Sequence, residues 1–182
     1  MYYAVGATIL DPVLKIEHLT KQYGRVTAVK DLSLTVNRGN VFGILGPNGS
    51  GKTTTLGILL DVINKTSGTF SWFGQPPNKE VRKRIGAILE TPIFYPYLSA
   101  VKNLEIVAAI KEVSVDNIEP VLKKVELYER RFDKFRTYSL GMKQRLSIAS
   151  ALLGDPEVMI LDEPTNGLDP QGIAEIRELI SK

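Results

Sequence analysis

The chain has 182 residues, with 23 basic and 20 acidic side chains, a net charge of +3 and no cysteine. That length buries one core, with room for an inserted subdomain, while the small basic excess gives no argument for nucleic acid and the lack of cysteine excludes disulfides and thiolate metal sites. No apolar run approaches the roughly 18 residues of a membrane span, and residues 1–10 lack the basic start of a signal peptide, so a membrane role must come through a partner.

Alternating apolar residues from Leu14 to Leu19 predict a strand, and Leu32, Leu34 and Val36 predict another before the turn Asn37-Arg38-Gly39-Asn40. The intervening Lys21, Gln22, Tyr23 and Gly24 read as a loop. Its tyrosine has two readings, ordinary packing or a platform for a nucleotide's adenine. Val41 to Leu45 is an apolar run of buried-strand type, and Leu56, Leu59 and Leu60 predict a helix from Thr53 to Val62. Ser67 and Gly68 open a strand over Thr69 to Phe73, and Ile85 to Leu89 forms the next.

A helical block follows, over roughly 92–154. Ser99 caps a helix running to about Glu112. Asp116 to Glu129 predicts a second, with Pro120 in its first turn. Ser139 caps a third, which ends at Gly154. Val158 to Leu161 is a buried-strand run, and Asp169 with Pro170 opens the last helix.

Chemistry concentrates in two stretches. Gly46, Pro47, Asn48, Gly49, Ser50, Gly51, Lys52, Thr53 and Thr54 stand between the Val41–Leu45 run and the helix, and fit the phosphate-loop pattern G-x-x-x-x-G-K-[ST]. Glycines let the backbone curl around a β-phosphate with successive N–H groups aimed at the anion. The helix adds its positive dipole end. Lys52 then reaches the β- and γ-phosphates and the Thr53 hydroxyl sits on Mg²⁺.

The second stretch is Asp162-Glu163, after four apolar residues. Two readings stand: a pair that merely closes a strand, or a carboxylate for Mg²⁺ with a neighbour that orients or deprotonates water. The phosphate loop favours the second.

Tyr138-Ser-Leu-Gly-Met-Lys-Gln-Arg145 resembles the signature segment of ATP-binding cassette proteins, and Leu161 to Pro170 is similar to that family's Walker B and D-loop. The resemblance runs from about Leu14 to the end. It implies an α/β P-loop NTPase core, a mixed sheet with an N-terminal antiparallel part, carrying an inserted α-helical subdomain. Residues 1–91 and 155–182 would form the nucleotide-binding core and 92–154 the helical subdomain. It also implies roles: Tyr23 stacks on adenine, Ser139 and Gly141 bind the γ-phosphate of ATP held by a second subunit, and Asp169 lies at the dimer seam. The implied machine is a head-to-tail dimer around two Mg²⁺-ATP, driving a separate transmembrane permease from the inner face of the cell membrane.

Two departures from the family pattern stand out. Glu90 occupies the place of a glutamine that contacts Mg²⁺ and the attacking water. With the Ser-Leu-Gly-Met signature, it makes the chain similar to the subgroup exporting bacitracin-like and lantibiotic peptides. The family's switch histidine has no counterpart, since the sole histidine is His18, and the expectation is a truncated chain lacking the last core strands. The aromatic stretch Thr91 to Leu98 is where the resemblance places docking of the membrane subunit; the plain alternative is a Pro-rich loop packed on its own domain. Beside an exporter ATPase subunit, two other functions are open. One is a soluble cassette ATPase acting on nucleic acid or a protein assembly. The other is an ATP-dependent interaction module with little turnover.

Overall fold

The computed structural model describes residues 12–89 and 94–181, which divide into two compact units meeting in sequence at Arg82 and Lys83. The first unit is built on a three-stranded antiparallel sheet. Strands β1 (Pro12–Tyr23) and β2 (Val26–Asn37) form a long hairpin, β3 (Ser67–Trp72) pairs with the other edge of β1, and the order is β2-β1-β3. The alternation read from the sequence places Leu14 and Ile16 on the buried side, opposite Trp72 and Phe70 of β3. A register shift at 17–20, where His18 has φ 53°, brings Leu19 to full burial. Each such aliphatic side chain contributes about 1.5–3 kcal/mol on burial.

Helix α1 (Lys52–Leu59) buries Thr55, Ile58 and Leu59. Its last turn is fastened to the sheet where the Trp72 indole Nε1 donates to Leu59 O at 2.9 Å. Two expectations are corrected in this unit. Lys21, Gln22 and Tyr23 continue β1, because their partners Val29, Thr27 and Val26 extend the ladder up to a two-residue turn at Gly24-Arg25. The run Val41 to Leu45 is not a strand, and Val41 and Leu45 are exposed. A strand buried on both faces needs ladder partners, and among the described residues no strand pairs with this run; apolarity alone does not form one.

In the second unit β4 (Ile85–Ile88) and β5 (Val158–Leu161) are parallel and in register, Ile85 beside Val158 and Ile88 beside Leu161. Parallel neighbours need a long crossover, and here the helical block supplies it. It contains α3 (Ala100–Lys111), α4 (Ile118–Lys124) and α5 (Leu140–Leu152); α6 (Pro170–Ser181) follows β5. Short α2 (Lys79–Lys83) precedes β4. Leu104, Leu122, Val125, Leu146, Leu153 and Ile176 lie at the centre of one apolar core. Gly86 brings β4 against the end of α5: a Cβ there would sit 2.5 Å from Ala151 O.

Caps fix the helix starts as read. Ser99 Oγ accepts from Lys102 N–H, and Ser139 Oγ from Met142 N–H, each at 3.3 Å. The predicted helix over 116–129 is instead broken, with one-turn 3-10 segments at Val115–Asn117 and Tyr128–Arg130 flanking α4. After Lys124 the chain closes in a Schellman arrangement: Leu127 N–H donates to Leu122 O and Glu126 N–H to Lys123 O, with Glu126 at φ 58°. Leu127 is thereby buried against the core. The same closure ends α3 at Glu112 (φ 57°) and α1 at Asp61 (φ 61°), which is why α1 stops short of Val62.

Candidate nucleotide site

The phosphate loop curls as its glycines allow. Gly49 and Gly51 take φ of 81° and 90°, and Ser50 N–H closes a turn on Pro47 O at 3.2 Å. Gly51 precedes α1 and lies so close to β2 that a Cβ would be 2.1 Å from Ala28 O. No other residue fits there. Thr55 then locks the first turn, its N–H and Oγ1 both donating to Gly51 O, at 2.8 and 2.9 Å. Lys52 folds back across the loop, Nζ donating to Gly46 O at 2.9 Å and Pro47 O at 3.1 Å. A cation, two left-handed glycines and a helix N-terminus therefore converge on one concave backbone, a set of groups that fits an anion.

Tyr23 ends β1 directly beside this loop's support. Its partner across the hairpin is Val26, two residues before Ala28, whose carbonyl abuts Gly51. Tyr23 is 49% exposed, which leaves it available for stacking.

In the second unit β5 delivers Asp162 and Glu163 in opposite ways. Asp162 is buried, and its N–H extends the ladder to Ile88 O at 2.9 Å. Glu163 leaves the strand with φ 48°, in the left-handed region costly for a side chain other than glycine, and is exposed. Asn166 fastens that turn, donating from N to Glu163 O at 3.0 Å and from Nδ2 to Oε2 at 3.3 Å.

Ser139 and Gly141 stand at the start of α5. Ser139 Oγ is the cap acceptor described above, and no atom lies within 4 Å of where a Gly141 Cβ would be, so that face is open. The segment after Glu163 runs alongside: a Cβ on Gly167 would meet Leu140 Cδ2 at 3.3 Å. Asp169 does what its position predicts, Oδ1 accepting from Gly172 N–H at 2.8 Å at the head of α6. In this unit Asp162 and Glu163 close β5, Ser139 and Gly141 open α5, and Asp169 heads α6. Glu90 lies outside the described residues, as do Thr91 to Ile93 of the aromatic stretch. In the rest of that stretch, Tyr95 and Tyr97 are half or more exposed.

The profile of the ABC transporter family matches residues 29–166. The chain belongs to that family. Among curated relatives it is 44% identical to the bacitracin transport ATP-binding protein BcrA of Enterococcus faecalis, over 96% of this chain and 58% of that one. It is 43% identical to the lantibiotic transport ATP-binding protein SrtF of Streptococcus pyogenes, over 92% of this chain and 73% of that one. Among solved structures, cbiO1 from Clostridium perfringens, part of the ABC transporter complex cbiONQ, superposes with a TM-score of 0.82 at 30% identity, covering 93% of this chain and 72% of that one. The ABC chain therefore spans little more than half the length of BcrA. The expected mixed α/β ABC fold is borne out, as is the resemblance to bacitracin and lantibiotic transport proteins.

Three polar residues that sequence reasoning left without a role shape this ABC unit. Gln144, buried on α5, donates through Nε2 to Pro164 O at 2.8 Å. Arg145 reaches Val125 O and Glu126 with one nitrogen and Glu175 of α6 with the other, at 2.8–3.1 Å. The Arg145 bond to Glu175, then one from Gln171, holds the Glu175 carboxyl below its usual range. Lys111 donates to Ser150, Ala151 and Leu153 carbonyls at 2.8–3.1 Å, closing the end of α5, and burial lowers its pKa to about 8. Gln144 and Arg145 fall within the signature-like segment, which was the available signal; Lys111 offered none beyond its place near a helix end.

Proposed function

We propose that this chain is the ATP-binding and hydrolysing part of an ABC exporter of the peptide-antibiotic or multidrug type. One observation carries the reading: Lys52 Nζ folded onto the Gly46 and Pro47 carbonyls, within a loop whose glycines alone permit its path. Those same N–H and ammonium groups suit a triphosphate. Residues Gly46 to Thr54 hold the phosphates, Tyr23 carries the adenine, and Thr53, Glu90 and Asp162 supply the oxygens for Mg²⁺. Among the described residues no cluster of three or more His, Cys, Asp or Glu makes an all-protein metal cage. Magnesium held by one or two side chains plus phosphate oxygens has no need of one.

Bound magnesium would neutralise charge building on the transferred phosphoryl group. Lys52 adds to that neutralisation, and Glu163, turned outward at the end of β5, takes the proton of the attacking water. Ser139 and Gly141 offer the head of α5 to the γ-phosphate of a second subunit's ATP, and Asp169 stands at that seam. Residues 92–154 serve as the helical subdomain between the two parts of the core. Among the described residues no helix is long and apolar enough to cross a membrane. In this reading a separate permease supplies the pathway and holds the subunit at the inner face of the membrane. The relatives named for bacitracin and lantibiotic transport support a peptide cargo. In the full-length protein, Glu163→Gln should bind MgATP, release no phosphate above background and accumulate as a dimer by size-exclusion chromatography. Wild-type phosphate release would remove Glu163 from the base role.

A further inference from the structure

We propose that Lys21 is a positioning residue for nucleotide binding, seating one face of the Tyr23 ring so that the other is presented to adenine. The inference deepens the nucleotide reading of Tyr23 above and rests on it. Residues two apart in a strand share a face, and Lys21 uses that adjacency: its Nζ lies 4.6 Å from the centroid of the Tyr23 ring. The same ammonium donates to Asn64 O at 2.6 Å. Lys21 is therefore pinned at both ends, by β1 and by the connection between α1 and β3. That connection is itself tied to β1, since Gln22 N–H donates to Thr66 Oγ1 and Thr66 N–H to Thr20 O, both at 2.9 Å.

Without this contact, a half-exposed aromatic at the end of a hairpin turns among its rotamers. With it, the ring is held by a cation that is fixed to the backbone and half-buried, while Tyr23 itself stays open to solvent. The position gained is relevant to the phosphate loop. Val26, across from Tyr23, is two residues from Ala28, a step of roughly 7 Å along the strand, and Ala28 O is the wall against which Gly51 turns. Lys21 thus orders the base platform in the same sheet that orders the phosphate cradle.

The test compares MgATP with magnesium tripolyphosphate, which has the phosphates and no base, by titration calorimetry on the full-length protein. Tyr23→Ala should weaken MgATP about fivefold or more and leave tripolyphosphate unchanged. Lys21→Met, which keeps the aliphatic stem, should weaken MgATP about two- to fivefold, again without touching tripolyphosphate. Added to Tyr23→Ala, Lys21→Met should cost nothing further. Lys21→Met with wild-type or tighter ATP binding, beside a weakened Tyr23→Ala, overturns the seating role and leaves stacking intact. Equal weakening of both probes by Lys21→Met makes Lys21 a phosphate-side charge and overturns it too. Unchanged ATP binding by Tyr23→Ala removes the stacking reading itself, and this proposal with it.

Discussion

The side-chain amide of Gln144 donates to the backbone carbonyl of Pro164 at 2.8 Å, joining α5 to the turn that carries Asp162 and Glu163. Gln144 is 7% exposed and Pro164 half-buried, so the bond is partly shielded from water. Gln144→Ala should therefore cost about 0.5–1.5 kcal/mol, the net worth of one part-buried hydrogen bond. Urea denaturation measures that loss. Because the turn places Glu163, phosphate release should fall more than MgATP affinity in the same variant.

Gly51 is set by steric necessity. Its φ of 90° and the Ala28 carbonyl 2.1 Å from a would-be Cβ leave no room for alanine. Gly51→Ala should displace the loop, destabilising the chain by about 3 kcal/mol or more, on the scale of overpacking combined with a strained φ. Gly141→Ala is the contrast, since its Cβ meets nothing within 4 Å. Thermal unfolding should separate them, with Gly51→Ala melting well below wild type and Gly141→Ala close to it.

The helix starts were legible in the sequence because a cap is a local signal. Ser99 and Ser139 each accept from the residue three ahead, and Asp169 does the same at α6. The strand Val158–Leu161 and its closing Asp162 were likewise written in four apolar letters. The helix ends were not. Asp61, Glu112 and Glu126 adopt the left-handed conformation without a glycine to announce it. At Glu126 the burial of Leu127 decides the matter, and burial is a tertiary fact. Of the candidate site, the phosphate loop and the two carboxylates could be read directly; the tie from Gln144 to Pro164 could not, because its acceptor is a backbone carbonyl 20 residues away.

Lys111 predicts a rise of stability with pH on the alkaline side. Its folded pKa of about 8 lies below the ordinary 10.5, so between those values the unfolded chain binds the extra proton. Stability should climb from pH 8 toward 10 in wild type relative to Lys111→Met. Lys111→Met should itself lose about 1–3 kcal/mol, because the carbonyls of Ser150, Ala151 and Leu153 lose their donor. Denaturant midpoints at pH 7.5, 8.5 and 9.5 give both results.

Glu175 predicts a slope of the same sign in acid. Its carboxyl is held below 4.5 mainly by the bond from Arg145 and then by that from Gln171. Its contribution is present above the unfolded carboxyl's pKa and is lost as pH falls through the folded one. Glu175→Gln should flatten part of the wild-type decline below pH 4.5. Because the Glu175 carboxylate is exposed, its pair with Arg145 should also weaken with added salt.

The most direct measurement is MgATP binding to Lys52→Ala beside wild type, by calorimetry, with circular dichroism showing both folded. Lys52 faces the loop's own carbonyls, away from the core, so its removal should spare the fold. Wild type should bind MgATP, and Lys52→Ala should show no detectable binding. Unchanged ATP affinity in a folded Lys52→Ala protein would contradict that expectation, because the loop from Gly46 to Thr54 would then not be where the phosphates are held.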